Sequence, residues 1–266
     1  MVTGMSDQAP GIAARPNPFT LAAVGAAAGF LSGLFGIGGG TIIVPALVLW
    51  LAVAQKSATG TSTAAILPTA VVGTISYGIN GDVDWIAAAC LAVGVFIGAQ
   101  FGSALLARLK VGTIQWSFMV FLLVVIISFW FVIPQRGDEM DLGIWQWLLL
   151  VLLGVVTGTL GGVLGVGGGI IVVPMLMVFF GASDLVARGT SLAMMIPGSI
   201  SGTVANVWRG NVDLFAALIV GLAACVLVPV GVLVANSIEP LWANIAFSAY
   251  LAIILGQMLV RRLKGA

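Results

Sequence analysis

The sequence predicts an all-α, polytopic membrane protein of eight to ten helical segments in two inverted repeats, each with a glycine-broken helix or re-entrant hairpin. Three observations carry this. The 266 residues are 61% hydrophobic and 7% charged, with a mean hydropathy of +1.20, an apolar load that a soluble globule of this size has no interior to hold. The apolar residues fall into ten runs, most of them near the roughly 20 residues that a crossing helix needs. The chain also repeats itself: a shift of 129 positions carries Gly25, Gly29 and Gly33 onto Gly154, Gly158 and Gly162, and Pro45 onto Pro174, without a gap.

Residues 1–18 carry Arg15 among turn-favouring prolines and glycines and read as a cytoplasmic tail before an uncleaved first helix, not a signal peptide. The first repeat, 19–134, holds the apolar runs Phe19 to Ile37, Thr41 to Ala54, Thr61 to Ile79, Trp85 to Leu106 and Gly112 to Ile133. A polar linker, 135–142, leads to the second repeat, 143–262, with runs Gly143 to Leu164, Ile170 to Phe180, Thr190 to Trp208, Val212 to Ala235 and Leu241 to Val260. Thr41 to Ala54 and Ile170 to Phe180 are too short to cross and read as half-helices. Each half therefore has five crossings, or three crossings and a re-entrant hairpin. Either count is odd, so the repeats are expected to be inverted.

Loop charges orient the chain. With the N-terminus inside, Arg15, Lys56, Arg108, Lys110, Arg209, Arg261, Arg262 and Lys264 are all inside, and only Arg136 and Arg188 are outside. The expectation is a multi-pass protein of the cell inner membrane with both termini cytoplasmic. Seven of the eight tryptophans lie at or near segment ends, where amphipathic rings anchor at the headgroups.

Composition also excludes. There is no histidine, which removes His-dependent triads, haem ligation by His and HExxH zinc sites. Cys90 and Cys225 lie mid-span and read as packing residues; no cofactor or metal is expected. A net charge of +1 without basic blocks gives no reason to invoke nucleic acid. The expected partners are the lipid bilayer and a small solute, with the oligomeric state open.

The stretch that organises the chain occurs twice, as Gly36 to Pro45 (GIGGGTIIVP) and Gly165 to Pro174 (GVGGGIIVVP). Glycine costs about 1 kcal/mol per residue in a helix interior, so Gly38, Gly39 and Gly40, and Gly167, Gly168 and Gly169, break any helix that enters them. Irregular backbone at membrane depth is tolerated where protein buries it or where it lines a wet cavity. Breaks at corresponding positions of two halves point to a transporter's substrate site. An exposed helix N-terminus there, at Thr41 for example, would attract an anion. The alternative is a tight hairpin turn without a ligand. A nucleotide loop is disfavoured, since no Walker lysine follows and the flanks are membrane-length.

A second constellation is Thr61-Ser62-Thr63 with Thr190-Ser191, each following a glycine and expected at a helix start, so that four helix N-termini would converge. Their hydroxyls can cap their own helix or donate to an oxyanion. Arg188 sits where cations are depleted; a bound anion or an ion pair with Asp184, four residues earlier, would each account for it. Asn206, Gln100, Gln257 and Tyr77 are the other polar groups at depth, and interhelical hydrogen bonding is their commoner use. Asn206 is also a candidate substrate contact. No charged residue falls clearly mid-span. If transport were proton-coupled, Asp84, Asp213 or the substrate itself would be the carriers.

The two glycine motifs, the doubled Gly-Thr-Ser and the segment Asn206-Val207-Trp208-Arg209-Gly210 resemble the sulfite exporter family TauE/SafE, also called the 4-toluene sulfonate uptake permease family. The resemblance spans about Phe19 to Arg262. It implies an inner-membrane transporter, not an enzyme, that moves sulfite, sulfonates, sulfoacetate or thiosulfate, with members differing in substrate and direction. The alternative is a channel-like or ion-coupled permease for another small solute.

Overall fold

The computed structural model describes residues 17–106, 116, 119–120, 123, 126–127, 143–164 and 167–263. The N-terminal tail, most of the run Gly112 to Ile133 and the linker 135–142 lie outside the described residues. Within them the fold is all helical: α1 Pro18–Phe35, α2 Gly40–Leu49, α3 Gln55–Ile79, α4 Trp85–Leu106, α5 Ile144–Leu164, α6 Gly169–Phe179, α7 Asp184–Trp208, α8 Leu214–Ser237 and α9 Pro240–Leu263. Among the described residues, four stretches are long and apolar enough to cross a membrane: Pro18–Phe35, Lys56–Ile79, Leu214–Ser237 and Pro240–Val260.

Local chemistry sets the helix ends. Asn17 caps α1 by accepting from the Phe19 N–H, with Pro18 at the first helical position. Ser183 caps α7, accepting from the Val186 N–H at 3.2 Å. Asp213 caps α8 through the Ala216 N–H, and the Asp84 carboxylate accepts from Ile86 and Ala87 at the start of α4. The two carboxylates considered above as proton carriers are thus committed to helix starts.

The glycine breaks reverse the chain. In a continuous helix Gly39 would lie about 16 Å beyond Ala28. Instead, a Cβ on Gly39 would sit 3.0 Å from the Ala28 carbonyl oxygen. Leu21, Val24 and Ala28 of α1 share one apolar cluster with Ile43, Ala46 and Leu47 of α2, so α2 folds back along α1 as a hairpin. Gly168 turns back onto Thr157 at the equivalent place in the second half.

Each hairpin packs against a helix of the other half. Gly25 and Gly29 of α1 lie against the carbonyls of Val220 and Ala224 on α8, leaving no room for a methyl; Gly154 and Gly158 of α5 lie in the same way against Leu91 and Val95 on α4. A shift of 129 positions exchanges one set of contacts for the other. The duplication seen in the sequence is therefore also a duplication of packing. Between these seams run α3 and α7, packed on each other, with Pro68 and Pro197 in their interiors.

One expectation needs correcting. The Gly-Thr-Ser segments are not at helix starts: α3 begins at Gln55 and α7 at Asp184, so Thr61 and Thr190 are each the seventh residue of their helix. Gly60 and Gly189 interrupt nothing. A Cβ on Gly60 would strike the Asn211 carbonyl, and one on Gly189 the Asp82 carbonyl, so glycine is there to let a loop of the opposite half come close. Two helix N-termini meet, not four.

Candidate functional site

Those two are the starts of α2 and α6. Gly38 and Gly39 have φ of 75° and 73°, and Gly167 and Gly168 have 76° and 82°, a left-handed backbone that β-branched residues avoid. Gly39 and Gly168 are the N-caps, and neither helix start has a side-chain cap. The first N–H groups of each helix point out of its end, with the positive end of the helix dipole behind them.

The breaks converge. A Cβ on Gly169 would lie 2.7 Å from the Gly36 carbonyl oxygen and 2.9 Å from the Ile37 Cα. On Gly38 it would meet Met195 Sδ at 2.6 Å and Ile66 Cγ2 at 3.4 Å; on Gly167, Ile66 Cδ1 at 3.4 Å and Met195 Sδ at 3.5 Å. Ile66 and Met195 occupy equivalent positions in the two halves, midway along α3 and α7. The centre of the molecule is thus two glycine turns closed around an isoleucine and a flexible thioether. Sequence reasoning passed over both side chains, although the 129-residue register already pairs them.

The hydroxyls flank this centre. Thr61 and Thr190 lie five residues from Ile66 and Met195, about 7.5 Å along their helices. Thr61 Oγ1 accepts from the Asp213 N–H at 3.0 Å, and Thr190 Oγ1 accepts from the Asp84 N–H at 3.0 Å, each tying its helix to a loop of the other half. A hydroxyl that accepts still has a proton to donate. Ser62 and Ser191 are both buried, and the Ser191 hydroxyl has no hydrogen-bond partner among the described residues. The Thr41 hydroxyl shares a short hydrogen bond with that of Tyr250, whose ring and that of Phe247 stack on Phe35, so α9 is pinned to the tip of the first hairpin. Its counterpart in the second half is Ile170, which has no polar group to offer.

Arg188 stands directly against the first break: a Cβ on Gly36 would lie 2.5 Å from its Cα. Its side chain is 1% exposed and that of Asp184 is 0% exposed, with Nη2 and Oδ2 3.4 Å apart. The ion pair, one of the two explanations for this arginine, is present. Beside the guanidinium lies Tyr77, whose hydroxyl donates to the Gly33 carbonyl at 2.7 Å and so serves the interhelical role expected of it. Asn206 does not join the group. It donates to the Gly202 carbonyl of its own helix at 2.8 Å and lies 18 residues beyond Arg188, about 27 Å along α7.

The chain matches the family model described as sulfite exporter TauE/SafE over residues 3–129 and 150–266. It is 36% identical over 97 residues to the probable membrane transporter protein YunE of Bacillus subtilis, covering 36% of each chain. A probable membrane transporter protein of Haemophilus influenzae is 32% identical over 184 residues, 66% of this chain and 65% of that one. One of Methanocaldococcus jannaschii is 25% identical over 253 residues, 87% and 91% of the two chains. The match thus spans about a third of the first relative and just under two thirds of the second. No solved structure matches. The doubled hairpin, the paired glycine breaks and these matches lead to one conclusion: the chain belongs to the TauE/SafE sulfite exporter family.

Proposed function

We propose that the protein moves small sulfur-containing anions, such as sulfite, sulfonates, sulfoacetate or thiosulfate, out of the cell across the inner membrane. The halves act as inverted repeats that rock about the two glycine breaks, both termini being cytoplasmic. The observation that carries this reading is the meeting of two helix N-termini without side-chain caps at Ile66 and Met195, with a buried arginine against the first of them. Oriented N–H groups and the positive ends of two helix dipoles favour an anion, each dipole contributing about 0.3–2 kcal/mol. Arg188 adds a donor fork matched to the oxygens of a sulfonate or sulfite. Met195 fills the space between the breaks and, being unbranched, swings aside to admit a tetrahedral or pyramidal anion.

Export follows from electrostatics. A membrane potential negative inside assists each outgoing negative charge by about 2.3 kcal/mol per 100 mV. The exchange of packing between the two halves supports the alternating-access part of the reading, since two equivalent arrangements are available to one structure. The test is flux in proteoliposomes with a panel of sulfite, thiosulfate, methanesulfonate, sulfoacetate, chloride and phosphate. Sulfur anions carried ahead of chloride and phosphate are expected; a panel in which none is carried overturns the reading.

A further inference from the structure

The two breaks share a backbone but not their side chains. In the register of 129 residues Ser32 has Gly161 as its counterpart, Thr41 has Ile170, Tyr250 has Phe121 and Arg188 has Thr59. The first-named of each pair is the stronger hydrogen-bond donor, and all four of these stand at the first break. We propose that the anion binds one way round, its oxygens held at the first break by the hydroxyls of Ser32, Thr41 and Tyr250 beside Arg188, and its other end turned to the second break at Ile170 and Met195. The site then prefers sulfonates that end in a small apolar group over those charged at both ends, such as sulfoacetate. This rests on the reading of the glycine breaks as an anion site.

Ser32 is placed by the duplication. A Cβ on Gly161 would lie 3.1 Å from the Gly168 nitrogen and 3.3 Å from the Gly168 Cα. The first half has a side chain at that position, so Ser32 is directed at the turn of Gly39. Its own helix agrees, since Ser32 lies one turn beyond Ala28, on the face against which Gly39 packs. Ser32 is 0% exposed, and its hydroxyl has no hydrogen-bond partner among the described residues. A buried hydroxyl left so is unfavourable, and an acceptor at the break relieves it.

Thr41 is the second residue of α2, and its hydroxyl shares a bond with that of Tyr250. Two hydroxyls hold two protons and that bond uses one, so whichever of them donates, one O–H is left for an anion. Backbone does not distinguish the breaks: Ile42 and Ile43 donate to the Gly39 carbonyl as Ile171 and Val172 donate to that of Gly168, leaving the N–H groups before them at both. The dipole of α6 still favours the single anion, because Gly169 lies against Gly36 and Ile37. What differs is the lining. At the second break Ile170, itself buried, stands in the place of Thr41, and the Met195 side chain lies against Gly167 and Gly169. A second charged group set there is desolvated without side-chain donors, which is strongly unfavourable, whereas a methyl group gains by leaving water.

Ethanesulfonate and sulfoacetate differ in a methyl group against a carboxylate at the far end, so their ratio reads the second break. Titration calorimetry on the purified full chain, where no membrane potential enters, is expected to show ethanesulfonate bound about tenfold or more tightly than sulfoacetate. Ile170→Thr gives the second break the hydroxyl of the first and is expected to narrow that ratio severalfold. Ser32→Ala and Tyr250→Phe, the latter keeping the ring that stacks on Phe35, are each expected to weaken ethanesulfonate by about tenfold. Sulfoacetate bound as tightly as ethanesulfonate overturns the orientation and leaves the transport reading standing, as does an unchanged ratio in Ile170→Thr or wild-type affinity in both Ser32→Ala and Tyr250→Phe. A wild-type protein that neither binds nor carries any sulfur anion overturns both. The wild-type ratio decides even if a variant fails to fold.

Discussion

Thr61 holds the loop before α8 by accepting the Asp213 N–H, while Thr190, its counterpart, holds the loop before α4 by accepting the Asp84 N–H. Each hydroxyl therefore joins the two halves at the root of the helix that grips a hairpin. Replacing either with valine leaves a part-buried N–H unpaired, at a cost of about 1–3 kcal/mol. We expect Thr61→Val and Thr190→Val each to lower the thermal midpoint of the purified protein, and serine at either position to restore it. A valine variant with an unchanged midpoint would show that water takes over the bond.

At the breaks, Gly39→Val and Gly168→Val should abolish transport while leaving protein inserted in the membrane, because valine is strained at a φ of 73° or 82°. Space alone does not rescue the second. A Cβ at residue 168 meets the Thr157 methyl, and Gly168→Ala with Thr157→Ala removes that clash while keeping the backbone strain. The double variant is expected to transport well below the wild-type rate; full activity would place the substrate elsewhere.

The buried pair separates binding from stability. Arg188→Gln alone leaves Asp184 without its cation and should cost about 3–5 kcal/mol of stability together with anion affinity. Adding Asp184→Asn removes the orphaned charge. The double variant should regain thermal stability and still bind methanesulfonate at least tenfold more weakly than wild type; recovery of both would reduce Arg188 to a structural partner of Asp184.

The last prediction concerns the driving force. Thiosulfate efflux from proteoliposomes under valinomycin-clamped potassium gradients should rise as the interior is made more negative, since each dianion carries negative charge outward. Efflux indifferent to potential would remove the case for export.

Much of this could be read from the chain because its causes are local. Three glycines in an apolar run dictate a break wherever they fall, and a gapless register of 129 residues pairs Ile66 with Met195 before any coordinate is known. The Arg188 and Asp184 pair was also within reach, since residues four apart share a helix face. The starts of α3 and α7 were misplaced for a physical reason. A glycine before Thr-Ser suggests a helix start in the sequence, whereas Gly60 and Gly189 are each required by a carbonyl from the other half that no local pattern announces. Ser183 was the available signal for the true start of α7; α3, preceded by Ala54 without a side-chain cap, offered none. The bond of Thr41 to Tyr250 spans 209 residues and has no counterpart in the duplication, so nothing in the sequence pointed to it.

The seams also set an order of events during synthesis. α1 leaves the ribosome with its glycine face bare, and the α8 backbone that covers it is made only after the whole intervening chain, on the order of ten seconds or more later. α5 is in the opposite position, because α4 is already present when it emerges. The second hairpin can thus dock as it is made, while the first must wait in the bilayer for nearly the entire protein. Mutations at Gly25 or Gly29 should therefore expose the nascent chain to membrane quality control for longer than the same changes at Gly154 or Gly158. Two segments of one design, related by duplication, are unequal in time.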